Sequence, residues 1–195
     1  MARWEPDARG RLQAAAMELF RARGYAATTV QEIAEHAGLT ERTFFRHFTD
    51  KREVLFAGSE VLGQVVQTAI AGAPAAARPL DVLEGALAAS SELFDARRDV
   101  AKVRSEVIMA DPELRERELT KLMTLAKTMA EALEQRGVDA SAAQLAAEVG
   151  LGLFRASFAR WLVDPKARGF AEHVHASFAE LRAISGRPAA KIQRS

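Results

Sequence analysis

The sequence predicts an all-α protein in two parts, a small three-helix head and a larger helical body, and three observations carry that prediction. Period-two alternation of apolar and polar residues is absent and β-branched residues are few, so no segment reads as a strand. Thr29 with Glu32, and Asp50 with Glu53, stand three apart, the spacing at which a side-chain oxygen takes one orphan helix amide while a carboxylate reaches back to another. Apolar residues recur at helical spacing through nearly all of the remainder, between turn signals at Asp99, Asp111-Pro112, Gly137 and Asp164-Pro165.

A first helix runs from about Asp7, behind Pro6, to Arg23 and turns Leu12, Ala15, Ala16, Leu19 and Phe20 inward. The second starts at the Thr29 cap, with Val30, Ile33, Ala34 and Ala37 as its apolar stripe and Gln31, Glu32, Glu35 and His36 facing water. Gly38 closes it, because glycine reaches left-handed backbone at little steric cost. Thr40 caps a short third helix that has Phe44, Phe45 and Phe48 as apolar anchors and Glu41, Arg42, Thr43, Arg46 and His47 on its other faces. From about Lys51 a longer helix continues through Val54, Leu55, Val61, Leu62, Val65, Val66 and Ile70 to the loop AGAPAAARP. Further helices are predicted over 80–97, 100–109, 112–136, 140–163 and 170–185, with the tail GRPAAKIQRS disordered. Helix, glycine-bearing turn, helix is the plan of a helix-turn-helix DNA reader, whose second helix lies in the major groove.

The residues carry a closer likeness. Arg11 and the run AAAMELF ending at Phe20, then Gly24-Tyr25, Thr28-Thr29-Val30, Ile33-Ala34, Ala37-Gly38, TFFRHF and Lys51 together resemble the DNA-binding domain of the TetR (tetracycline-repressor-like) family of bacterial regulators. The likeness covers about the first quarter of the chain. It implies a helix-turn-helix domain over 1–52, joined to a helical effector-binding and dimerisation domain over 53–186, with 187–195 as the tail. One departure stands out: Phe45 occupies a position where the family usually has Tyr, which removes any phosphate contact from a phenol hydroxyl.

The candidate DNA-binding residues are Thr29, Thr40, Glu41, Arg42, Thr43, Phe45, Arg46, His47 and Lys51. Phe44 and Phe48 are expected in the core, as aromatic residues at helical spacing in a small domain bury the area it needs. Arg42 and Thr43, near the start of the reading helix, are the expected base readers, since Arg can grip a guanine edge bidentately. His47, Lys51 and Thr29 match the family's phosphate contacts. Bulk charge does not make this case: the net charge is +1, and residues 1–56 hold nearly equal numbers of basic and acidic side chains. What remains is the local cluster of Arg42, Arg46, His47 and Lys51 around one short helix.

In the body, the segment AAQLAAEVGLGLFRASFARWLV is apolar on two faces. Leu145, Val149, Gly152, Ala156, Ala159 and Val163 form a small-residue stripe that lets another helix come close; Leu151, Phe154, Phe158, Trp161 and Leu162 form the other. An ordinary monomeric core helix would read the same way. The resemblance makes the first stripe a dimer interface, because the last two long helices of each family subunit build a four-helix contact. A dimer presents two reading helices about one turn of DNA apart, so the operator is expected to be near-palindromic.

The resemblance also implies a pocket for an unknown small effector, with Phe94, Arg104, Ile108, Met109, Leu122, Met123, Leu125, Met129, Phe154, Phe158 and Trp161 as candidate lining. Apolar walls with adaptable methionines suit an apolar or acyl-CoA-like ligand, and one Arg suits its anionic end. Methionine and aromatic residues at helical spacing are equally what a packed core uses.

Other classes fit poorly. There is no cysteine, which rules out disulfides and thiolate sites and suits the cytoplasm. The start MARWEPDARG has no apolar signal core, and no 18 consecutive apolar residues are present, so no membrane association is expected. No Gly-rich phosphate loop or HExxH occurs, His173 and His175 stand two apart, and so do Glu116 and Glu118; no enzyme, metal site or cofactor is expected. The expected function is a ligand-released homodimeric repressor bound to double-stranded operator DNA. The alternatives are an activator, or a DNA-binding protein with no small-molecule response.

Overall fold

The computed structural model describes residues 7–186, and every regular element among them is an α-helix. The tail expected over 187–195 lies outside the described residues, as does most of the MARWEPDARG start. In chain order the helices are α1 Ala8–Arg23, α2 Val30–His36, α3 Glu41–His47, α4 Glu53–Phe56, α5 Ser59–Gly72, α6 Pro79–Ala89, α7 Ser91–Asp95, α8 Arg98–Ala110, α9 Pro112–Gln135, α10 Ala140–Val163 and α11 Phe170–Ser185.

Two of the predicted long helices are interrupted. The helix expected to run unbroken from Lys51 is split into α4 and α5 around Ala57-Gly58. There the Leu55 carbonyl accepts from Arg104 Nε at 2.6 Å and the Phe56 carbonyl from the Ser59 hydroxyl at 2.8 Å. Side chains thus occupy carbonyls the next helical turn would use, and Gly58 favours helix weakly. The span 80–97 is likewise broken at Ser90, a fully buried residue whose hydroxyl bonds the Leu87 carbonyl at 2.6 Å. Only half of the expected cap at Asp50 forms: its carboxylate accepts from Glu53 N at 3.1 Å, while the Glu53 carboxylate pairs instead with Arg117 and Lys121.

The described residues fall into two compact units. The first takes in the chain up to Gly63 together with Arg97–Leu125. Its core joins Leu12, Ala16 and Phe20 of α1, Ile33 of α2, Phe44 and Phe48 around α3, and Val54, Leu55 and Phe56 of α4 to Val107 and Ile108 of α8 and Leu114 of α9. The second unit takes in Gln64–Ala96 and the chain from Ala126 on, with α6, α10 and α11 mutually packed. The buried stripe of α10 reads Ala143, Ala147, Gly150, Phe154, Ser157 and Trp161. A Cβ on Gly150 would stand 3.1 Å from Leu83 Cδ1, so glycine there permits the close approach of α6.

Residues 53–72 have the length and mean hydropathy, 1.4, of a membrane-crossing helix. Several of their apolar residues are nonetheless engaged in the fold: Val54, Leu55 and Phe56 are buried in the first unit and Val66 and Ile70 in the second, while Leu62 and Val65 are half-buried and Val61 is exposed.

Candidate nucleic-acid interface

Local chemistry builds the α2–turn–α3 unit. Thr29 Oγ1 accepts from Glu32 N at 3.2 Å, and Thr29 N donates to the Glu32 carboxylate at 2.8 Å, so the expected capping box is complete. The bonds that Thr29 donates to this carboxylate from its N–H and, at 3.1 Å, from its hydroxyl, with a further one from Arg23, hold the Glu32 carboxyl below its ordinary range. Gly38 has φ +65°, the left-handed turn that ends α2, and Arg11 of α1 donates to the Ala37 carbonyl beside it. Thr40 then caps α3 by accepting from Thr43 N at 3.2 Å.

On α3, Phe44 and the C-cap residue Phe48 face inward as expected, their ring centroids 5.5 Å apart. Glu41, Arg42, Phe45 and Arg46 are exposed, and Thr43 and His47 are half-buried. Arg42 and Arg46 have no ion-pair partner among the described residues. The Nε2 of His47 is buried and has no hydrogen-bond partner among them either. Thr29 and Thr40 are exposed at the starts of their helices.

Lys51 is differently placed. Its ammonium donates to the carbonyls of Tyr25 and Thr28, both at 2.7 Å, and lies 4.2 Å from the centre of the Tyr25 ring. Burial pushes the Lys51 pKa down and the Tyr25 hydroxyl up to about 12. Two of the three N–H donors of this lysine therefore hold the α1–α2 loop, a role that its position in sequence did not announce.

The candidate effector residues are divided between the two units. In the first, Ile108 belongs to the core against α1, Leu122 is half-buried and Leu125 is buried. Met109 and Met123 are 63% and 70% exposed, at the surface rather than on a wall. Arg104, offered to an anionic ligand end, makes two bonds to the Glu118 carboxylate, at 2.6 and 3.1 Å, besides its bond to Leu55. To meet an anion it must release Glu118. In the second unit Phe94, Phe154, Phe158 and Trp161 join Phe170 in one aromatic cluster, with Phe94 4.8 Å from Phe170 and 5.5 Å from Phe158 between centroids. Trp161 Nε1 and Phe170 N both donate to Asp95, at 3.1 and 2.8 Å. Met129 is fully buried. An open groove of about 370 Å³ lined by Gln64, Val65, Thr68, Ala69 and Ala89 contains none of the candidate residues.

The candidate dimer stripe lies on the outer side of α10. Leu145 and Val163 are 69% and 76% exposed, Gly152 and Ala159 are exposed, and Val149 and Ala156 are half-buried. A Cβ on Gly152 would meet nothing within 4 Å. Arg160 of α10 pairs with Glu180 of α11 at 2.8 Å beside it. The inner stripe through Gly150 and Ser157 was not singled out from the sequence, although its spacing of three and four is as regular as the outer one.

The model of the family described as bacterial regulatory proteins, tetR family, matches residues 12–57. Over 74 residues, 38% of this chain, the sequence is 42% identical to the HTH-type transcriptional regulator TcmR of Streptomyces glaucescens, covering 33% of that protein. Over 88 residues, 45% of this chain, it is 35% identical to the HTH-type transcriptional activator FasR of Mycolicibacterium smegmatis, covering 39% of it. The chain thus spans only 33% and 39% of the length of these two relatives. Among solved structures it is similar to Thermus thermophilus FadR, a TetR-family transcriptional repressor in complex with lauroyl-CoA. The identity there is 25% and the TM-score 0.54, with 96% of this chain and 98% of that chain covered.

Proposed function

We propose that the chain is a DNA-binding transcriptional regulator of the TetR family, whose model its residues 12–57 match, and that it is a cytoplasmic homodimeric repressor that leaves a near-palindromic operator when a small effector binds. The observation that carries this reading is the outward face of α3, where Arg42 and Arg46 have no acidic partner among the described residues, on a helix capped and turned as a major-groove reader requires. The outer stripe of α10 supports the dimer, since small residues on an uncovered helix face admit a second helix at close range. Residues 1–52 serve as the reading head and 53–186 as the effector and dimer part. This is a division of roles; in packing, α8 and the start of α9 go with the head.

That packing suggests how an effector would act. Arg104 of α8 holds the Leu55 carbonyl, and Arg117 and Lys121 of α9 hold Glu53 of α4, so a ligand that displaces α8 or α9 displaces the head with them. Release then requires that the ligand bind the two head spacings with different affinity. The lauroyl-CoA in the Thermus thermophilus FadR structure makes a fatty acyl-CoA the first candidate, with the aromatic cluster and Met129 of the second unit for its acyl chain. Selection of an operator from a random duplex library, followed by titration with lauroyl-CoA, stearoyl-CoA and the free acids, tests this. Release at micromolar thioester is the expected result; an operator that none of them releases removes the acyl-CoA effector and leaves the DNA reader. FasR is named an activator, and a reporter with the selected site upstream of a promoter decides the sign of regulation.

A further inference from the structure

We infer that Phe45 is a specificity-determining residue that reads a thymine in each half-site through its 5-methyl group. The inference rests on the DNA-reading function proposed above and adds to it the chemistry of one base contact. Three phenylalanines lie in or at the end of α3, and the structure separates them: Phe44 and Phe48 are 0% and 4% exposed, whereas Phe45 is 54% exposed. Phe45 touches Phe44 edge-on, with centroids 5.5 Å apart and ring planes at 81°. The core closes without it.

Its neighbours say what it can meet. Arg42, Phe45 and Arg46 stand at i, i+3 and i+4, one face of a helix, and neither arginine has an acidic partner among the described residues. The complement of that face is an isolated apolar group set in a strongly anionic surface. In the major groove the only apolar group on a base edge is the thymine methyl, framed by phosphates. A ring without a hydroxyl makes no hydrogen bond to either, so apolar contact is the interaction it offers. The two arginines beside it can take guanine edges or phosphates, which places the thymine among their contacts.

The test uses the full-length protein and the palindromic site that the wild type enriches from a random duplex library. Each thymine of a half-site is replaced in turn, symmetrically, by deoxyuridine, which lacks only the methyl. Wild type is expected to lose about fourfold in affinity per methyl at one position per half-site. Phe45→Ala is expected to bind the thymine and uracil forms of that position alike, while Phe45→Tyr, which keeps the ring, retains the difference. A site at which no deoxyuridine penalty depends on residue 45 overturns the inference and leaves the reader standing. If the wild type enriches no sequence at all, the reader falls and this inference with it.

Discussion

Helices α3 and α10 both turn apolar surface to solvent, and what is interleaved with that surface differs. On α3, a helix of seven residues, a single exposed ring stands beside Arg42 and Arg46, neither of which has an acidic partner among the described residues. On α10 the exposed stripe from Leu145 to Val163 runs the length of a 24-residue helix through Gly152, Ala156 and Ala159. A cationic face with one apolar point suits the mixed edge of a DNA groove. A longer stripe whose middle is small and whose charges, such as the Arg160–Glu180 pair, lie beside it suits another helix, because dispersion contact needs close approach and little charge along the line of contact. The same property, exposed apolar area, thus points to different partners once its charge and texture are read.

The largest expected effect comes from breaking the α10 side. Gly152→Arg with Ala156→Arg puts bulk and like charge in a two-fold contact, and a Cβ at Gly152 meets nothing of its own subunit within 4 Å. Light scattering should report monomers, and loss of the second reading head should weaken operator binding by about 100-fold or more. A doubly substituted protein that stays dimeric and binds normally would move the interface to another helix.

Arg42→Ala breaks the α3 side. It should cost about 1–3 kcal/mol on the selected operator and relax preference at one position per half-site, with the dimer intact. Equal losses on selected and scrambled duplexes would take Arg42 off the list of base readers. Lys51 sharpens the boundary of that face. If its ammonium chiefly holds the Tyr25 and Thr28 carbonyls, Lys51→Met lowers Tm by about 2–4 °C and leaves the salt dependence of binding unchanged. A phosphate contact predicts instead that the slope of log K against log salt falls by about 0.9.

The smallest effect lies at the C-terminal end of α10. Asp164 accepts from Arg168 at 2.8 Å, from Lys166 N at 3.0 Å and meets His173 at 3.1 Å, and these bonds, that of Arg168 foremost, hold its carboxyl well below the usual range. A depressed carboxyl contributes stability at neutral pH that is lost as pH falls below the unfolded value toward the folded one. Asp164→Asn should therefore lower Tm at pH 7, and the gap to wild type should close as pH drops below about 4. A gap independent of pH would mean that the carboxylate charge contributes nothing to the α10–α11 hairpin.

What the sequence determined by itself is whatever a few neighbouring residues settle. The Thr29–Glu32 capping box, the left-handed turn at Gly38, the Thr40 cap and the inward Phe44 and Phe48 were all legible, since each depends on partners within about one turn of helix. The spacing of α10 marked its outer stripe, but not the inner one through Ala143, Ala147, Gly150 and Ser157 that the fold covers. Tertiary structure alone decided that, together with the breaks at Ala57-Gly58 and Ser90, the engagement of Arg104 with Glu118 and Leu55, and the clamp that Lys51 makes on the loop before α2. In the long-range pairs among these, a carbonyl or carboxylate meets a cation distant in sequence, and no local periodicity encodes such a meeting. Phe45 stands between the two: the resemblance set it among the DNA-binding residues, but only the packing of Phe44 and Phe48 shows that the core closes without its ring.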